Sequence, residues 1–416
     1  RLVGSEMCIR DSLLIGERKM LKTYHCAVLG DPISHSLSPV LHNTAYKVLG
    51  LTNWQYSKEK VSETELRDFI AHLDDSWKGL SLTMPLKKTV MKLGTPCDYW
   101  SRALNVANTA VFTSNPATAS QSQIKLYNTD VSGILITFMQ ALHERICEVK
   151  KAVIIGSGNT ASSALAALIE IAQVAKLEQV QVVARTEDDG SVKGVERFNN
   201  LIQKYCADFP NKISIGQNNK SEENDAMYEP VQGIEFPTIS EEVFSKFADY
   251  SAEKLSAEKL SECDKSLILK SLNSLEAVRA IAEADIVIST VPAHVADPIA
   301  LALKAYCQDS ANNQTKLGTL LDVVYDPRPS MLLSVWQQYG CAIGGEEMLL
   351  QQALAQVSLM TIEYRQSKEN FGNCAKTGAE DCAETGSELG YKPSADKARY
   401  YDDLSSLMRK ALQEAL

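Results

Sequence analysis

The sequence predicts an α/β protein of two domains, and three observations carry that prediction. From Tyr24 onward, short apolar runs alternate with helical patterns. At Lys151 the stretch KAVIIGSGNTASSALAALIEIAQ passes from an apolar strand through a glycine turn into an alanine-rich helix, and the strand QVQVVAR follows. The chain then closes on the amphipathic pattern DDLSSLMRKALQEAL. Strands separated by helices of this length point to parallel α/β arrangements. At 416 residues, 45% hydrophobic and 23% charged, the chain has material for two or three buried cores.

The first twenty-odd residues, RLVGSEMCIRDSLLIGERKM and the two that follow, precede this pattern. Residues 1–22 are expected to be a non-native or disordered extension, with Met20 as the natural start. The first strand is HCAVL, ending just before Gly30. It is followed by a polar loop, GDPISHSLSP, richer in serine and proline than a connection needs. The helical pattern SPVLHNTAYKVLGL, the run TNWQYSKEKV, a helix from Glu63 to Leu73 and the strand WKGLSLTMP come next. Together they suggest a parallel arrangement in this first region.

In the second unit, Gly156, Gly158 and Ala161 fill the G-x-G-x-x-A spacing of a dinucleotide turn, in which a tight bend, a close backbone approach and helix-to-strand packing are each required. Alone the spacing carries little. The strand before it and the helix after it give it weight. At the end of the next strand, where a carboxylate would accept from the ribose of NAD, the chain has Ala184, Arg185 and Thr186. A guanidinium there favours NADP, against the acidic run Glu187, Asp188 and Asp189 that follows.

A segment of about 190–275 is too long for a connection between two strands of one sheet and is read as a surface insertion; it carries SAEKL twice in tandem. ADIVISTVP and TLLDVVYDPRPS then place Thr290 and Tyr325 at strand ends, where open α/β sheets bind ligands. A second polar insertion, about 366–395, precedes the closing helix. The net charge of −10 argues against nucleic acid or an anionic membrane as partner. No apolar run approaches the ~20 residues of a membrane span, so a cytoplasmic protein is expected. The ten cysteines stand singly, without C-x-x-C pairs, and are read as reduced packing residues; no metal site is expected.

The remaining loops carry the chemistry. LSLTMPLKK offers the Thr83 hydroxyl and the Lys87 ammonium; ALNVANTA offers Asn108 and Thr109; KLYNTDVSG offers Asn128, Thr129 and Asp130. Taken singly, each is an ordinary surface lysine, turn or helix cap. In order and spacing they resemble the shikimate dehydrogenase family. The resemblance rests on HSLSP, LTMPLK, NVANT, YNTD, GSGNTA, ART, DVVYDP and GEEMLLQQ, and it covers roughly residues 24–365 with the closing helix.

The resemblance implies a substrate-binding catalytic domain at 23–128, a Rossmann dinucleotide-binding domain at 129–346 and C-terminal helices at 347–416 returning to the first domain. It implies reversible NADPH-dependent reduction of 3-dehydroshikimate to shikimate, a step of aromatic amino-acid (chorismate) biosynthesis. Lys87 and Asp130 correspond to its catalytic pair. Ser36, Ser38 and Tyr325 would hold the substrate carboxylate, and Thr83, Asn108 and Gln352 its ring hydroxyls, with Lys87 and Asp130 also touching substrate. Gly156, Ser157, Gly158, Asn159, Thr160, Ala161, Arg185, Thr186, Thr290 and Gly345 would line the cofactor. His35 and His42 are read as structural. A monomer or homodimer is expected.

The chain departs from the family pattern at Ser81, Asn105 and Ala184, and at Ser157, Asn159 and Thr160 of the glycine turn. The proton machinery is intact whereas the cofactor pocket is altered, so NAD remains the alternative cofactor. Two rival functions follow: an NAD-dependent quinate/shikimate dehydrogenase, and a non-catalytic shikimate or quinate sensor. Retention of both Lys87 and Asp130 argues against the sensor.

Overall fold

Two six-stranded sheets organise the chain. The structure, a computed structural model, describes residues 22–113, 123–185, 194–209, 268–271, 275–309, 316–326, 328–375 and 397–416. The first sheet contains β1 (Tyr24–Gly30), β2 (Trp54–Lys60), β3 (Trp77–Leu82), β4 (Thr95–Pro96), β5 (Thr109–Thr113) and β6 (Gln123–Tyr127), in the order β2-β1-β3-β5-β6-β4. Its helices are α1 (Ser38–Val48), α2 (Leu66–Ala71), α3 (Leu86–Thr89) and α4 (Tyr99–Leu104).

The central strand β1 is covered on both faces, which is why its sequence runs apolar without alternation. Cys26 and Val28 pack with Leu41, Tyr46, Trp54 and Tyr56 on one side, and Ala27 and Leu29 with Leu66, Leu80 and Leu82 on the other. β2 lies at the edge and alternates, with Trp54 and Tyr56 buried and Gln55 and Ser57 exposed. The expected all-parallel pairing of this region holds for β1 with β2 and β3, but β5 runs antiparallel to both β3 and β6. The stretch between β5 and β6 is too short for the crossover that a parallel pair demands. The expected Glu63–Leu73 helix is the shorter α2.

The second sheet is wholly parallel. It contains β7 (Lys151–Ile155), β8 (Gln179–Ala184), β9 (Ile268–Ser271), β10 (Ile286–Ser289), β11 (Thr319–Asp322) and β12 (Cys341–Gly344), in the order β12-β11-β10-β7-β8-β9. The chain builds outward from β7 through β8 to β9, then returns to β7's other side and builds outward again. That reversal is the topological switch point at which doubly wound sheets bind dinucleotides. Its helices are α5 (Thr129–Leu142), α6 (Asn159–Ile171), α7 (Val195–Asp208), α8 (Leu275–Ala282), α9 (Asp297–Gln308) and α10 (Met331–Trp336).

The segment read as an insertion at about 190–275 contributes α7 and β9 to this sheet, so its two ends are framework. The tandem SAEKL repeat lies outside the described residues. Beyond β12, α11 (Gly345–Ala375) packs against α5, β3 and β5, and α12 (Lys397–Ala415) packs on α1. Leu404, Met408 and Leu412 thereby join the core beneath β1, which is the return to the first sheet that the sequence predicts. The helical part of α11 also takes in the first residues of the polar segment at about 366–395. Among the described residues no helix is long and apolar enough to cross a membrane.

Candidate active site

The site begins at the carboxyl ends of β1 and β3. These strands are parallel neighbours, so the loops that follow them emerge side by side. The Asp31 amide donates to the Met84 carbonyl at 3.0 Å, tying the serine loop to the lysine loop. The serine loop is held from outside by Lys58, whose ammonium donates to the Ser34 carbonyl. Ser38 is buried in the first turn of α1, and Ser36 is half-buried before it. Thr83 closes the β3 end, and α3 then presents Lys87 inward.

Lys87 Nζ donates to Asp130 Oδ2 at 2.5 Å, and the two side chains are only 15% and 7% exposed. Asp130 sits in the first turn of α5, where Asn128 caps the helix and accepts from the Asp130 amide. A carboxylate in that position also meets the positive end of the helix dipole. The buried Asp98 carboxylate accepts from the Ser101 amide at 2.7 Å and from the Asn128 amide at 2.8 Å, so one side chain caps α4 and fixes the start of α5. Burial nonetheless pushes its pKa up, against those two bonds.

Asn108 is the hub of this corner. Its amide nitrogen donates to Asp130 Oδ1 at 2.7 Å and to Thr129 Oγ1 at 2.9 Å, and lies 3.4 Å from Gln352 Oε1. Its amide oxygen accepts from the Thr129 backbone at 2.8 Å. Both ends of the amide are therefore specified by chemistry, which is what a buried polar network needs to hold one geometry. Behind it, Tyr56 donates to Ser81 at 2.6 Å, Ser81 to Gln356 at 2.8 Å, and Gln356 to Thr109 at 3.0 Å. Ser81, at a departure from the family pattern, is thus buried in a supporting chain of hydrogen bonds. His42 stacks on Tyr56 with ring centroids 3.9 Å apart, and its pKa is lowered to about 4 by burial.

Across from these loops, β11 ends at Asp322 and the chain continues to Tyr325. His35 of the serine loop lies 3.4 Å from Asp326, so Tyr325 is carried toward that loop. Burial and the neighbouring Asp326 charge raise the Tyr325 pKa, keeping its hydroxyl a donor.

The nucleotide end is built differently, largely from backbone. The Gly156 amide donates to the Val183 carbonyl at 2.8 Å, and Gly156 has a φ of +115°, a conformation open to glycine. A Cβ there would lie 2.5 Å from Thr290 Oγ1, and that hydroxyl donates to the Ile155 carbonyl at 2.9 Å. Thr290 therefore locks the turn from across the switch point. Around Gly158 a Cβ would meet nothing within 4 Å, and α6 opens at Asn159 with its amides facing that space. This is an open cradle of the kind a pyrophosphate fills. Ser157, Asn159 and Thr160 are half-buried at its rim, and Ala161 is buried under it.

Arg185 is exposed at the end of β8, while Thr186 lies outside the described residues. Gly345 is buried at the start of α11, where a Cβ would meet the Val323 carbonyl at 2.2 Å; tight packing accounts for that glycine. Asn105 takes a left-handed φ of 52° as the C-cap of α4, a conformation asparagine tolerates in place of glycine. Sequence reasoning missed Gln356, Tyr56 and Asp98. The four-residue spacing of Gln352 and Gln356 on one helix was the available signal for the first.

A two-layered division of labour, with a part-buried lysine–carboxylate pair beside a doubly wound dinucleotide fold, defines a nicotinamide-dependent oxidoreductase class. The family described as the shikimate dehydrogenase substrate binding domain matches residues 28–110. A shikimate dehydrogenase (NADP(+)) from Prochlorococcus marinus strain AS9601 is 25% identical over 348 residues, covering 82% of this chain and 92% of that protein. A protein of the same name from Methanothrix thermoacetophila is 41% identical over 114 residues, 27% of this chain and 38% of its own length. Among solved structures, Mycobacterium tuberculosis shikimate dehydrogenase aligns with a TM-score of 0.53 at 25% identity, over 81% of this chain and 93% of that one. Over most of its length the chain is similar to shikimate dehydrogenases.

Proposed function

We propose that this chain is an NADP-dependent shikimate dehydrogenase, catalysing the reversible reduction of 3-dehydroshikimate to shikimate. The observation that carries the reading is the Lys87–Asp130 pair, 2.5 Å apart, part-buried and oriented by Asn108. The residues at the glycine turn fit a dinucleotide: the space around Gly158, the α6 amides and the Gly156 bend would receive its pyrophosphate, and Arg185 its adenosine end. When bound, the nicotinamide supplies or accepts the hydride.

The protein's own groups do the rest. As the ring carbonyl is reduced, a proton must reach its oxygen. Lys87 is the donor in this reading, and its charge stabilises the oxyanion that develops. Asp130 holds the ammonium in place and, through Asn108, is itself held. Ser36, Ser38 and the Tyr325 hydroxyl donate to the substrate carboxylate, while Thr83, Asn108 and Gln352 fix the ring hydroxyls.

An assay at the nicotinamide absorbance band, with shikimate or quinate against NADP or NAD, tests the proposal. Preferential turnover of shikimate with NADP is expected. Turnover of quinate with NAD as the preferred pair would replace it with a catabolic dehydrogenase, and no turnover with any pair would leave a binding protein.

A further inference from the structure

We infer that Glu346, in the first turn of α11, is a positioning residue for the substrate carboxylate: it grips Arg328 and so sets Tyr325 opposite the serine loop. The inference rests on the reading of this cleft as a shikimate site. Tyr325 sits on the connection between β11 and α10, which is fastened at both ends. The Val323 amide donates to the Ser289 carbonyl at 3.0 Å, and Ser330 Oγ, which caps α10, donates to Asp322 Oδ2 at 2.5 Å. Between those ends, Arg328 Nη2 lies 2.7 Å from Glu346 Oε1.

The carboxylate lies back over Gly344, where a Cβ would collide with both of its oxygens. Its side chain is 17% exposed, and Oε2 is buried with no hydrogen-bond partner among the described residues. A charge so placed gives up hydration and regains only part of it from one guanidinium and the positive end of the helix. Stability gives little reason for such a group, whereas fixing a loop in one position does.

The next residue ties the same turn to the other half of the carboxylate pocket. Arg409 of α12 donates to Glu347 from Nε at 3.2 Å and from Nη2 at 2.5 Å, a two-pronged grip. In turn α12 packs on α1, which begins at Ser38. Farther along α11, Gln352 Oε1 lies 3.4 Å from the Asn108 amide nitrogen. One helix thus sets the register between Tyr325, Ser38 and the groups that would hold the ring hydroxyls, and Glu346 supplies a link from it to Tyr325.

Calorimetric titration of the full chain with shikimate and with NADPH, alongside steady-state kinetics, tests this in the parent, Glu346→Ala, Glu346→Gln, Arg328→Ala, Tyr325→Phe and Glu346→Ala combined with Tyr325→Phe. Glu346→Ala should weaken shikimate binding by about three- to thirtyfold, bounded by the loss of one hydrogen bond to a charged group, with kcat and NADPH affinity within about threefold. Arg328→Ala should match it. Glu346→Gln, which keeps an oxygen for Arg328, should recover most of the affinity. In the Tyr325→Phe background, Glu346→Ala should weaken shikimate by less than about twofold, because the hydroxyl it positions is gone. Full additivity of the two changes, or an unchanged shikimate affinity in Glu346→Ala, would overturn the inference. So would equal weakening of shikimate and NADPH, which would make Glu346 a brace for the fold. A parent that turns over shikimate with neither NADP nor NAD has failed the functional reading, and the inference falls with it for a reason visible in the parent alone.

Discussion

The catalytic corner and the nucleotide turn solve the same problem, holding a geometry, by opposite means. Around Lys87, position is set by side chains that bond one another: Asn108, Thr129, Asp130 and Gln352, backed by Gln356, Ser81 and Tyr56. Around Gly156, position is set by backbone and by the absence of side chains, with Thr290 filling the space a Cβ would take. The first kind of site is specific to the groups it moves protons between. The second offers a glycine bend and helix-end amides that suit the pyrophosphate common to dinucleotides, which would leave discrimination to exposed side chains such as Arg185. Four of the departures from the family pattern, Ser157, Asn159, Thr160 and Ala184, lie at the second, and Ser81 lies in the support of the first.

The largest effect should come from breaking the corner at its reacting group. Lys87→Ala is expected to reduce turnover by about 10²- to 10⁴-fold, the range for loss of a general acid–base group, with shikimate affinity changed far less. Steady-state kinetics give the split between kcat and KM directly. Near-normal turnover would remove Lys87 from the mechanism and leave the ion pair as structure.

The corner's support also carries a pH signature. His42 is fully buried, donates from Nδ1 to the Ser38 carbonyl, and is held neutral down to about 4 by burial, against an ordinary value of 6.5. The unfolded chain takes up that proton near pH 6.5 while the folded chain does not. Stability is therefore lost as pH falls from about 6.5 to about 4, by roughly 3 kcal/mol in total. Urea denaturation at several pH values in the parent and in His42→Leu measures the slope. A parent curve no steeper than that of the variant would mean the imidazole is protonated in the fold.

On the other side of the comparison, Gly156→Ala puts a side chain at a φ of +115° and against the Thr290 hydroxyl. Strain of about 1 to 3 kcal/mol should appear as weaker NADPH binding and a lower melting temperature. Shikimate affinity should be unaffected, because the serine loop belongs to the other sheet. A parallel loss of both affinities would show that the two sites are not built independently.

What was legible in the sequence follows the same divide. β7, β8, β10 and β11, the glycine turn and the strand-end placement of Thr290 depend on local runs and short spacings, so pattern alone reached them. Lys87 and Asp130 came through the order of motifs along the chain, since each looks ordinary by itself. The bonds that orient them did not. Ser81 and Gln356 meet only when α11 returns to the first sheet, and Asp98 finds the Asn128 amide only once β4 has paired with β6. No local signal encodes such contacts. The antiparallel β5 and the framework roles of α7 and β9 escaped for a related reason: strand partners are chosen by the sheet, and a long polar segment between α7 and β9 hides that both belong to it.

The smallest effect sharpens the comparison most, because it asks how far the corner extends. Tyr56 stands at the far end of the supporting chain, donating to Ser81 at 2.6 Å while its ring stacks on His42. Tyr56→Phe removes the donor and keeps the ring, so packing is preserved and only one buried hydrogen bond is lost. Ser81 still donates to Gln356, and Gln356 still reaches Thr109. The expected cost is about 1 kcal/mol in stability, since Ser81 loses an acceptor role without being left fully unpaired. Turnover should stay within a few-fold of the parent, because Asn108 keeps both of its direct bonds to Thr129 and Asp130. Denaturant unfolding and steady-state kinetics on the same preparation measure the two quantities together. A tenfold loss of kcat at unchanged stability would mean that the hydroxyl of Tyr56 tunes the geometry of Asp130 through four intervening side chains, Ser81, Gln356, Thr109 and Asn108. The rigidity of the catalytic corner would then be a property of the whole buried chain and not of the Asn108 hub alone.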